Sequence, residues 1–127
     1  MPTITRRATG IKGEDEAARF LTRSGYAILD KNVRTRAGEI DLVAKEGRTL
    51  VFVEVKTLRE LVGDPPQAAV NTRKQNRLGK LANGYLKLKR IRPAPSCRFD
   101  VVSVILNEEG GVKAIRHIPN AFSVAPW

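Results

Sequence analysis

Apolar positions along this chain recur first with the period of a helix, then with that of strands, then with that of a helix again. In residues 10–24, GIKGEDEAARFLTRS, Ile11, Glu14, Ala17, Ala18 and Leu21 fall at i, i+3, i+4 spacings, which predicts a helix ending before Gly25. YAILDKNVR, 26–34, has strand character, and Thr35-Arg36-Ala37-Gly38 reads as a turn. Residues 38–56, GEIDLVAKEGRTLVFVEVK, hold two apolar runs, 40–44 and 50–55. Lys45-Glu46-Gly47-Arg48 joins them with the glycine and charges of a hairpin turn. TLRELVGDPPQAAV, 57–70, reads as a loop leaving the second of these strands. A second helix is expected over 72–89, with Leu78, Leu81, Ala82, Tyr85 and Leu86 on its apolar face. Pro93 and Pro95 end it, the almost continuous apolar run 97–106 predicts a central strand, and a last strand over 112–118 follows the turn at Gly110-Gly111. Residues 1–9 read as a basic arm and 119–127 as an extended tail. The order α-β-β-β-α-β-β predicts an α/β fold, a mixed central sheet flanked by helices, in a single domain spanning 1–127.

Composition narrows the class. The 127 residues are 42% apolar, enough to bury a core without staples. No apolar run is as long as a membrane span and MPTITRRATG lacks a signal-peptide core, so a cytoplasmic protein with no membrane partner is expected. One cysteine excludes an internal disulfide and a cysteine-built zinc site, and one histidine, His117, excludes a multi-histidine metal cluster. Lys and Arg number 23 against 13 acidic residues, a net charge of +10 that favours a polyanion, above all nucleic acid. Arg73, Arg77, Lys80, Lys87 and Lys89 occupy outward positions of the second helix, while Lys74 falls on its inner face, toward the sheet, where a phosphate contact is expected.

Charged residues set into apolar runs supply the candidate chemistry. Phe52, Glu54 and Lys56 share one side of their strand and Val51, Val53 and Val55 the other, so Glu54 and Lys56 are neighbours about 7 Å apart at the backbone. Asp41 stands on the preceding strand. Two carboxylates suit a hard divalent cation, and a lysine beside them can orient a water or neutralise charge on a phosphate oxygen. The competing reading is an ion pair between Glu54 and Lys56 on a solvated face, with Asp41 toward water. Glu14 lies on the packing stripe of its helix, where a carboxylate is unfavourable unless it is paired, metal-bound or opened to a cleft. Against this stands the ordinary preference for glutamate in a first helical turn. Glu16 belongs to a charged face with Lys12, Arg19 and Arg23; Arg98 and Asp100 share a face as a local ion pair; His117 is expected to be structural or exposed.

Helix-borne Glu14, Asp41 in GEID, and Glu54 with Lys56 in VFVEVK resemble the PD-(D/E)XK, or restriction-endonuclease-like, nuclease superfamily. Gly13-Glu14, Ala17, Gly25-Tyr26, Asn32, GEID, VFVEVK, Lys74 and Arg98-Phe99-Asp100 resemble, more narrowly, the YraN-like bacterial family over roughly residues 10–118. The resemblance implies a restriction-endonuclease-like core similar to that of archaeal Holliday-junction resolvases. It implies Mg²⁺ or Mn²⁺ held by Asp41, Glu54, Glu14 and the Val55 carbonyl, with Lys56 positioning the attacking water. Ile40 replaces the proline that names the superfamily, and Leu58 stands where the narrower family would have arginine, so that phosphate contact is either missing or moved to Arg59.

Two functions follow. The first is metal-dependent hydrolysis of phosphodiester bonds in DNA, in preference to RNA, at branched or structured sites in repair or recombination, with Lys56, Glu54, Asp41 and Glu14 catalytic and Lys74, Arg73, Arg77 and Arg59 binding nucleic acid. Symmetric cleavage of a junction would call for a homodimer. The alternative is a noncatalytic nucleic-acid-binding module that keeps the same fold.

Overall fold

A computed structural model describes residues 6–59 and 71–123 of the chain, with side chains from Gly10 onward. Its elements are α1 (Arg6–Arg23), β1 (Ala27–Thr35), β2 (Gly38–Glu46), β3 (Thr49–Arg59), α2 (Thr72–Leu88), β4 (Cys97–Leu106) and β5 (Val112–Phe122). The expected order is therefore borne out. α1 begins at Arg6 rather than Gly10, because the polar first turns continue the helix beyond its apolar stripe. β5 runs on to Phe122 rather than stopping at 118, since Phe122 still pairs with Phe99 and their rings stack at 4.9 Å. Residues 57–59, read as the start of a loop, are strand because β4 pairs with β3 as far as Arg59↔Leu106. The rest of that loop, 60–70, and the segments 1–5 and 124–127 lie outside the described residues.

The five strands form one sheet in the order β1-β2-β3-β4-β5, antiparallel except for the parallel pair β3–β4. A parallel pair needs a long crossover, and α2 lies on it. Strand alternation then divides the core in two. Val51 and Val53 face α1 with Leu42, Ala44, Val102 and Val104, where they meet Ala17, Ala18 and Leu21. Leu50 and Phe52 face α2 with Val43 and Phe99, where they meet Leu78, Leu81 and Tyr85. Ile11, placed on the apolar stripe by spacing, is 49% exposed; the packed face of α1 begins at the buried Gly13. No helix among the described residues is long and apolar enough to cross a membrane.

Two irregularities shape one end of the sheet. The β1–β2 ladder pairs Lys31 with Leu42 and Val33 with Ile40. Yet Leu42 joins the α1 core and Ile40 the α2 core, although residues two apart should share a face. The strands change faces between these pairs, at Asn32 and Asp41, and Asn32 adopts a left-handed φ of 52°. Asparagine tolerates that conformation better than most residues. The recorded β2–β3 pairing also stops at Leu42↔Val53, whereas β3 continues along β4 for six more residues. The sheet thus forks, and Asp41 stands at the base of the fork.

Candidate metal centre

Beyond the last β2–β3 pair, the Val55 N–H donates to Asp41 Oδ2 at 2.9 Å, so a side chain replaces the missing strand partner. From the other face, α1 comes close because Gly13 has no side chain; a Cβ there would overlap Thr57 Oγ1 on β3. That approach sets the next residue, Glu14, over the fork. Carboxylate oxygens of Glu14, Glu39 and Asp41 all lie within 4.8 Å of one another. Glu39 joins Asp41 from two positions earlier on the same strand.

Crowding of like charge marks this trio. The Asp41 carboxyl is pushed up to about 8 by burial, then by the charge of Glu54 and also of Glu14 and Glu39, against the opposing Val55 N–H. Burial and Glu39 push Glu14 above the usual carboxylate range, opposed by hydrogen bonds to Asn32 and Asp41. Asn32 is therefore both the left-handed residue across from Asp41 and an amide that orients Glu14. Arg34 approaches Glu39 only at 3.6 Å and is itself solvent-exposed, so it neutralises little.

Glu54 belongs to a neighbouring ion cluster. Its buried carboxylate is gripped by the Lys74 ammonium from the first turn of α2 and lies 3.5 Å from Lys56 Nζ. Asn71 fixes that first turn, its Oδ1 accepting from the Lys74 N–H at 2.9 Å. Burial and the nearby Lys74 lower the Lys56 ammonium below its ordinary value, with Glu54 opposing. Burial works on Lys74 in the same direction and is the largest single influence, but the hydrogen bonds to Glu54 and Lys56 and the charges of Glu54 and Asp41 together outweigh it, and the net shift is upward.

The structure therefore brings Glu14 and Asp41 together and adds Glu39 and Asn32, while Glu54 stands beside the trio rather than in it. Lys74 points to the sheet as its spacing predicts, but its ammonium is engaged by Glu54, because the buried carboxylate is the nearest opposite charge. Val55 enters through its N–H. Arg73 and Arg77 line a groove of about 700 Å³ with Ala37, Lys74 and Lys80, and Arg59 is exposed at the end of β3. Glu39 was not singled out by spacing, because strand alternation breaks at Asp41, where Ile40 and Leu42 face different cores. The role of Asn32 had no local signal. An all-carboxylate donor set suits Mg²⁺ or Mn²⁺ better than softer metals.

At the other end of the sheet the expected Arg98–Asp100 pair is the centre of a second charged cluster. Arg98 Nε meets Asp100 Oδ1 at 3.0 Å, Nη1 meets Glu46 Oε1 at 2.8 Å, and Nη2 donates to the Tyr26 hydroxyl. His117 Nε2 lies 2.7 Å from Asp100 Oδ2, and the Asn120 N–H donates to Oδ1 at 2.9 Å. His117 is thus structural, as expected. Burial alone would raise Asp100, but His117, Arg98 and the Asn120 N–H together hold it below the usual carboxylate value.

The profile of the family described as "Uncharacterised protein family UPF0102" matches residues 13–104, a span that contains the acidic trio, Glu54, both site lysines and Arg98 with Asp100. A UPF0102 protein of Symbiobacterium thermophilum is 51% identical over 116 residues, covering 91% of this chain and 97% of the relative. One of Trichlorobacter lovleyi is 44% identical over 128 residues, covering 98% and 99%. One of Desulforamulus reducens is 42% identical over 120 residues, covering 94% and 98%.

Proposed function

This chain belongs to the UPF0102 family, the one its YraN-like motifs point to, and we propose that it is a metal-dependent endonuclease of the restriction-endonuclease-like kind that hydrolyses phosphodiester bonds in DNA. The observation that carries this reading is the convergence of Glu14, Glu39 and Asp41 from two elements onto one point beside the Glu54–Lys56 pair. Glu14, Glu39 and Asp41 would hold Mg²⁺ or Mn²⁺, with Glu54 and the Val55 carbonyl next to them. When bound, such an ion polarises a phosphoryl oxygen and lowers the pKa of water. Lys56, its ammonium held near the carboxylates and lowered by burial, orients the attacking water and donates to a phosphate oxygen. Lys74 acts as a positioning residue by locking the Glu54 rotamer. Branched or structured DNA is the substrate class this reading favours, with the protein acting in the cytoplasm and two copies needed to cut a junction symmetrically.

Calorimetric titration with Mn²⁺, comparing the parent with Asp41→Asn and Glu54→Ala, tests the centre, and a cleavage screen of branched and linear DNA tests the activity. Binding lost in Asp41→Asn and cleavage lost in Glu54→Ala are expected. Cleavage that survives in Glu54→Ala overturns the assignment. The full engagement of Glu54 by two ammonium groups favours one second reading, a noncatalytic nucleic-acid-binding module in which this cluster only holds α2 to β3. DNA binding that persists in chelator without any product selects it.

A further inference from the structure

The outer face of α2 is built against the stability of the helix that carries it. Its inner face is the apolar row from Leu78 to Leu86. On the opposite side Arg73, Arg77, Lys80, Gly84 and Lys87 follow one another at alternating intervals of four and three and are all exposed, a single stripe about 21 Å long by helical rise. α2 contains no acidic residue, so the stripe has no compensating i, i+4 partner, and like charges at that spacing repel. Arg73 also sits in the first turn, where the helix dipole disfavours a cation. Among the described residues none of these four cations has an ion-pair partner.

Gly84 adds a second unfavourable choice on the same face. Glycine is less favourable than alanine in a helix interior, and the space a Cβ would fill at Gly84 is open, so packing gives no reason for it. Bare backbone in the middle of a cationic stripe is what a close approach by another backbone needs. The stripe also leads somewhere. The groove between α2 and the β1–β2 turn, lined by Arg73, Arg77 and Lys80, reaches Lys74, which grips Glu54.

We propose that the outer stripe of α2 is a docking lane for the phosphodiester backbone of DNA, with closest approach at Gly84 and Lys80 and Lys87 neutralising phosphates away from the reacting centre. It rests on the nucleic-acid reading above and adds to it the surface that the substrate follows.

The test is fluorescence anisotropy of a labelled DNA duplex in chelator, over a salt series, with the parent, Gly84→Ala and the double variant Lys80→Gln/Lys87→Gln. Gly84→Ala should melt at a higher temperature than the parent and yet bind roughly threefold or more weakly, because the added methyl holds the backbone off. The double variant should reduce the slope of log affinity against log salt by about two. Parent-like affinity in Gly84→Ala overturns the close approach, and a parent-like salt slope in the double variant overturns the lane. If these results accompany loss of cleavage in Glu54→Ala, the lane falls and the nuclease reading stands. A parent that binds no DNA overturns both.

Discussion

Asp41 and Asp100 are two inward-facing aspartates of one sheet, and their surroundings are opposites. Asp100 has Arg98, His117 and the Asn120 N–H around its two oxygens, and its carboxyl is held low. Asp41 has one N–H donor and three neighbouring glutamates, and its carboxyl is pushed up to about 8. Burial acts on both in the same direction; only the partners differ. A buried charge whose partners are all supplied by the fold contributes to structure. A buried charge surrounded by its own sign costs the fold stability, and here it stands where α1, β2 and β3 meet, open to a cation that would resolve the conflict.

Removing each carboxylate should break this comparison in opposite directions. Asp100→Ala leaves Arg98 without its main partner and should lose about 3 kcal/mol or more in a denaturant titration. A loss below the level of an ordinary surface substitution would mean that the cluster is not what holds β4 to β5. Gly13→Ala acts on the other side by forcing α1 away from Thr57; it should cost about 1–3 kcal/mol and weaken Mn²⁺ binding in calorimetry, because Glu14 moves with the helix. Asp41→Asn keeps an acceptor for the Val55 N–H and removes the repelled charge. It should therefore stabilise the protein by about 1 kcal/mol at pH 8 while abolishing Mn²⁺ binding.

The pH dependence sharpens the same contrast. Asp41 has a folded pKa above its unfolded value, so between about pH 4 and 8 the folded state holds a proton that the unfolded chain has lost, and stability falls as pH rises through that window. The gain in melting temperature from Asp41→Asn should accordingly shrink as pH is lowered from 8 toward 4. Asp100 has the reverse sign: its stabilisation is present above the unfolded carboxylate value of about 4 and is lost as pH falls through its lower folded value. A parent-minus-Asp100→Ala difference that persists undiminished at strongly acid pH would contradict it. The smallest effect on folding should come from Asn32→Gly, which keeps the left-handed backbone and removes only the amide. Stability should change by less than about 0.5 kcal/mol, yet Mn²⁺ affinity should fall roughly tenfold as Glu14 loses its orienting partner.

Much of this was legible from residue order. The runs 97–106 and 72–88 were read almost to the residue, because a nearly continuous apolar strand and a helix with five apolar positions on one face are strong periodic signals. The shared face of Glu54 and Lys56, the inward aim of Lys74 and the Arg98–Asp100 pair follow from the same two periods. The order of elements pointed to an α/β sheet.

Glu39 and Asn32 show where that kind of inference stops. Alternation is a rule about one strand, and it fails at Asn32 and Asp41, where β1 and β2 change faces together. That reversal depends on what pairs on either side of β2: a β1 twisted by a left-handed residue, and a β3 that leaves β2 after Val53 to continue along β4. Neither partner is local in sequence. Periodicity thus determined most of the residues that face a core, since one strand or helix fixes those by its own geometry. Only the tertiary structure decided which carboxylates share a point in space, because that is set by the fork between β2 and β3 and by how closely a bare glycine lets α1 approach it.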